Sequence, residues 1–226
     1  MKIKKDSIDR ISKLILLFIL FESSVYLQYI PLWVFKIKNI TPQVDVLLSC
    51  FSNLILLMAL FFMYRIDLRV EWKKFKNNFN SSMDSSFKYW CFGVLGMMVS
   101  NILINMIFNL GQAENEELVQ GMIVALPLVM LLNAGIIAPI IEELIFRKAF
   151  KDAIKSKWKF IIVSSLVFGL MHVISATTWI DLIFFIPYSC LGMAFAYIYT
   201  ETDSVFPSIL VHAFHNTTLI IFSIIL

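Results

Sequence analysis

Long apolar stretches almost free of charge recur along this 226-residue chain, and no other feature constrains its fold as strongly. A bilayer's hydrocarbon core is about 30 Å thick and takes roughly 20 apolar residues to cross as a helix. Seven stretches serve: 14–35, 44–64, 89–110, 121–143, 160–176, 180–200 and 205–226. A spanning strand would alternate in polarity, and runs such as Leu14–Leu20 and Leu54–Met63 do not. Hydrophobic residues make up 59% of the chain and charged ones 15%, against about 25% charged in a soluble domain. That balance excludes a soluble enzyme, a disordered chain and a nucleic-acid binder. The expected class is all-α: a polytopic helical membrane protein with about seven transmembrane helices. Residues 1–120 read as N-terminal helices with a cytoplasmic loop, and 121–226 as the core that carries the chemistry.

Lysine and arginine stay on the cytoplasmic side of a membrane. Of the 19 present, 17 fall before the first span, between spans two and three, or just after span four; only Lys36 and Lys38 lie elsewhere. The loop with Glu114, Glu116 and Glu117 has none, as an outside loop should. These counts predict a cell-membrane, multi-pass protein with a cytoplasmic N-terminus. The net charge of +3 is then a topology signal with some affinity for anionic headgroups. The N-terminal apolar run is interrupted by Glu22 and lacks a small-residue cleavage site, so it reads as a retained span. The polar stretch Arg65–Lys88 reads as a cytoplasmic loop, with an interfacial helix around Leu68–Phe75. Cys50, Cys91 and Cys190 are odd in number and far apart, which points to buried thiols.

Ionisable groups inside spans are costly and mark function by default. They are few: Glu22, Glu142, Glu143, His172, His212 and His215. Glu143 and Arg147, four apart on a helix, can pair. Glu142 has no basic residue three or four positions on, so it is either free to act as a proton acceptor or, with Glu143, one of two interfacial carboxylates that mark the end of a span. His172 is a single histidine in a span; it is either an interhelical contact or a group that holds water beside a carboxylate. His212 and Asn216 share a face as two donors and could meet a developing oxyanion, or could glue helices together. His215 lies off that stripe and reads as structural. Glu22 reads as a helix contact or part of a channel.

The order Glu-Glu-x-x-x-Arg, Phe-x-x-x-His, His-x-x-x-Asn over Pro139–Asn216 resembles the CPBP family, the CaaX-protease and bacteriocin-processing (Abi) group. That resemblance implies an intramembrane glutamic endopeptidase, with eight spans common where seven are counted here. It implies water activation by Glu142 with His172, a structural pair of Glu143 and Arg147, and an oxyanion hole of His212 and Asn216. It also implies a peptide precursor or membrane-anchored protein as substrate. The expected cofactor is none. Zinc on Glu142, His172 and His212 is the alternative, disfavoured because no H-E-x-x-H occurs and asparagine is a poor ligand. No G-x-S-G or G-x-G-D motif suggests another intramembrane protease. The expected partners are that substrate and the lipid bilayer, with no nucleic acid. Two other readings stay open: a bacteriocin-immunity or membrane scaffold protein that needs no proteolysis, and a small proton-coupled transporter.

Overall fold

The computed structural model describes residues 9–226, with 2–8 entering only as helical backbone. The side chains of Lys2, Lys4 and Lys5, which help set the expected orientation, lie outside the described residues. Eight helices and no strand occur among the described residues. They are α1 (Asp9–Val34), α2 (Pro42–Asn77), α3 (Phe79–Phe108), α4 (Glu114–Ala125), α5 (Pro127–Ala153), α6 (Lys157–His172), α7 (Asp181–Thr202) and α8 (Val205–Ile225). The chain is a polytopic helical membrane protein.

Six helices, all but α4 and α6, are long and apolar enough to cross a bilayer. The stretch expected to span over 160–176 is α6, and it ends early, at His172. Its 16 residues reach about 24 Å, short of a full hydrocarbon core. The chain turns left-handed after helices at Lys36, Asn109 and Asp203, and at Gly111, where φ is 76° and Asn105 receives the glycine N–H and donates back to its carbonyl.

The loop expected over Arg65–Lys88 is not a loop. Helix α2 runs unbroken through 36 residues to Asn77, and α3 begins at Phe79. The segment is polar but holds no Gly or Pro, so nothing in it interrupts the backbone ladder; only Asn78 stands outside both helices. The interfacial helix near Leu68–Phe75 is thus the end of a span. Of the three cysteines expected to be buried, Cys50 is buried, Cys190 is half-buried and Cys91 is exposed, because Cys91 faces outward on α3.

The chain forms two compact units. The first comprises Met1–Leu68, Gln120–Ala153 and His212–Leu226. Within it α1 packs on the C-terminal half of α5, and Phe18 and Phe21 meet Phe146 edge-on, at 6.2 and 5.6 Å between centroids. The second comprises Arg69–Val119 and Ile154–Val211. Its centre is α7, packed against α3 and α6. Small residues allow that closeness: a Cβ on Gly93 would come within 2.6 Å of Ala194, and one on Gly169 within 2.5 Å of the Phe185 carbonyl.

Candidate active site

The first unit holds the pair of glutamates. Helix α5 departs from α geometry twice, in π-helical turns at Asn133–Ile137 and Glu143–Ala149, a feature frequent at functional sites. All seven residues of the second turn are buried, so the helix is encased there on every side. Glu143 and Arg147 have side chains at 0% exposure, and the guanidinium Nε lies 3.4 Å from Glu143 Oε2. This is the pairing their four-residue spacing predicts.

Glu143 also accepts a hydrogen bond from His212 Nδ1 at 3.0 Å. A carboxylate on Nδ1 fixes the ring's tautomer and orientation. The other nitrogen, Nε2, then lies 3.7 Å from Glu142 Oε2. Glu142 is 18% exposed, yet its Oε2 is buried and has no hydrogen-bond partner. The two adjacent carboxylates thus do different work. Glu143 is held by a cation and orients an imidazole, while Glu142 keeps an acceptor oxygen unspent beside that imidazole. With Nδ1 committed to Glu143, Nε2 donates only as an imidazolium.

Asn216 sits one turn beyond His212 and donates Nδ2 to the carbonyl of Ala134 at 3.1 Å. One of its two amide hydrogens is thereby used within the protein. His215 is buried, in keeping with a structural role, and Glu22 is exposed on α1. A further polar seam ties α2 to α5: Asn53 donates to Asn133 at 2.9 Å and Asn133 to Ser49 at 3.3 Å. Lys148 is buried between Asp152 at 3.0 Å and Asp67 at 3.9 Å, beside the Tyr64 ring.

His172 belongs to the second unit. Its Nδ1 donates to the Phe168 carbonyl at 2.8 Å. The ring stacks on Tyr188 at 4.5 Å and lies 4.3 Å from Phe168. Outside the spans, burial raises the Glu116 carboxyl above the usual carboxylate range, opposed by a hydrogen bond with the Tyr188 hydroxyl. Glu114 accepts from the Thr177 N–H at 3.0 Å and from its hydroxyl. The turn that follows His172 is therefore tied to α4.

Sequence reasoning missed Glu71. This buried residue of the second unit accepts from Tyr199 Oη at 3.0 Å and from the Val205 N–H at 2.8 Å. It caps the start of α8, seven residues before His212, with a negative charge where a helix favours one. The sequence could not point to it, because Ser204 beside Val205 looks like a sufficient local cap.

A catalytic zinc site takes three protein ligands. Glu142 and His212 supply two donors, and among the described residues no group of three His, Cys, Asp or Glu side chains stands together as ligands would.

Residues 124–218 match the family described as Type II CAAX prenyl endopeptidase Rce1-like. The chain is 33% identical over 119 residues to a Bacillus subtilis protein named "Putative membrane peptidase YdiL", an alignment covering 51% of this chain and 46% of that one. It is 30% identical over 124 residues to an uncharacterized protein of Mycoplasma capricolum, covering 46% of this chain and 37% of that relative. The chain thus spans less than half the length of these relatives. No solved structure matches it.

Proposed function

We propose that this chain, which over residues 124–218 belongs to the CaaX-protease and bacteriocin-processing family, is an intramembrane endopeptidase that uses Glu142 as its base. One observation carries the reading: Glu142 Oε2 is buried, without a hydrogen-bond partner, and 3.7 Å from an imidazole that Glu143 holds in place. Glu142 takes a proton from water, and the hydroxide adds to a peptide carbonyl. The oxyanion of the tetrahedral intermediate is met by His212 Nε2–H, in the imidazolium form, and by the second amide hydrogen of Asn216. On collapse the C–N bond breaks and protonated Glu142 returns its proton to the leaving amine. His172 is assigned to hold the water; its support is the order of the three motifs in the sequence. Glu143 and Arg147 keep His212 oriented. The substrate is a peptide precursor or a membrane-anchored protein, reached from the cytoplasmic side of the cell membrane, with the N-terminus cytoplasmic as its flanking lysines and arginines direct.

The test is cleavage of membrane-peptide substrates by purified wild type and Glu142→Gln, with and without a zinc chelator. Cleavage that resists the chelator and falls by about 10²–10⁴-fold in the variant, as loss of a general base does, supports the reading. Cleavage abolished by the chelator moves Glu142 and His212 to a metal centre. Cleavage that survives in Glu142→Gln overturns the base assignment, and a wild type inert on a broad substrate panel favours an immunity or scaffold role.

A further inference from the structure

Pro139 lies inside α5, three residues before Glu142, and removes one backbone N–H from the helix. That N–H would have met the carbonyl of Gly135 in α geometry, four residues back, or of Ala134 in π geometry, five residues back. The helix is in π geometry here. The Ala138 N–H bonds the carbonyl of Asn133, so the next rung would run from position 139 to Ala134, and a proline cannot make it. A carbonyl left unpaired in a membrane interior is costly.

Both carbonyls are met from another helix. Asn216 Nδ2 donates to Ala134 O at 3.1 Å, and the Thr217 hydroxyl donates to Gly135 O at 3.2 Å. Gly135 makes the approach possible, since a Cβ there would sit 3.0 Å from Thr217 Oγ1. Asn216 thus stands where the proline leaves a backbone donor missing, Thr217 braces the neighbouring carbonyl, and Glu142 follows within the next two turns of α5.

We infer that Thr217 is a positioning residue: its hydroxyl, beside the Asn216 amide, holds the proline-broken turn of α5 and so fixes where Glu142 stands relative to His212. Its bearing on catalysis rests on the reading of Glu142 as the base. Without the hydroxyl, the Gly135 carbonyl loses its donor from α8, and the turn that carries Glu142 is freed to shift. The Glu142–His212 separation is then no longer fixed, while groups that would contact substrate elsewhere are untouched.

The experiment is a cycle of variants in lipid nanodiscs. Thr217→Val removes the hydroxyl at similar size, Thr217→Ser keeps it, and Pro139→Ala gives α5 a donor of its own. With Asn216 still on Ala134, that new N–H has Gly135 as its α-geometry acceptor. Thr217→Val is expected to lower the melting temperature by about 3 °C or more, Thr217→Ser to leave it unchanged, and the Val effect to fall by at least half in the Pro139→Ala background. Equal losses in both backgrounds would overturn the inference. With a cleaving wild type, Thr217→Val is expected to lower kcat on the order of tenfold with KM unchanged, and Thr217→Ser to restore it; an unchanged kcat overturns the positioning role. A wild type that cleaves nothing sinks the protease reading alone, and the melting cycle still decides whether Thr217 holds the turn.

Discussion

The Glu143 carboxylate is held from two sides, by Arg147 at 3.4 Å and His212 at 3.0 Å, so removing it differs in kind from altering its neighbour. Glu143→Ala takes the paired carboxylate from a buried guanidinium, and breaking a buried ion pair costs about 3–5 kcal/mol; the thermal unfolding temperature should drop sharply. Glu142→Gln keeps the shape and strands nothing, so the fold should survive within about 1 kcal/mol, as the same melting experiment would register. The Glu143–Arg147 pair was legible in the sequence, because a helix brings residues four apart together. The His212–Glu143 bond was not, because it joins positions 69 apart and no local period encodes that. Glu116 gives a pH signature. Its folded carboxyl titrates above the usual range, so the native state holds its proton longer than the unfolded chain does. Stability should therefore fall as pH rises from the ordinary carboxylate value through the raised one. Glu116→Gln should flatten that segment of a stability-versus-pH curve.

Helices pack here by backbone approach, and the glycines differ in what they touch. Gly93→Ala drives a Cβ to 2.6 Å from Ala194 on α7, and overpacking of this kind costs about 1–3 kcal/mol. Gly121→Ala meets open space on α4 and should be neutral, or stabilising by up to about 1 kcal/mol through helix propensity. Parallel melts of the two variants would separate packing from propensity. Glu71→Ala leaves the Tyr199 hydroxyl and the first N–H of α8 without their acceptor. The expected loss is about 1–3 kcal/mol, and faster amide exchange at Val205 would locate it. The existence of these helices was readable from apolar length. Their ends were less so: α2 overruns its apolar stretch because nothing polar in 65–77 breaks a helix, and α6 stops at His172 where length alone promised four more residues.

At the scale of the molecule, each compact unit draws segments from both halves of the chain, an interleaving that composition and periodicity do not carry. The charge pattern does predict sidedness. In a cysteine-free background, Lys73→Cys should react with an impermeant thiol reagent from the cytoplasmic side, and Glu117→Cys from the other; the reverse pattern would invert the orientation. The proline break in α5 has a consequence for how the chain is made. Synthesis delivers α5 to the membrane with a proline-orphaned carbonyl, that of Ala134, whose donor lies 82 residues further on. Until α8 is synthesised, α5 is an unfinished client with polar backbone open to lipid. Ribosome-stalled chains ending before residue 216 should therefore be trimmed by quality-control proteases, and chains carrying α8 should mature. Assembly of α5 is gated by α8.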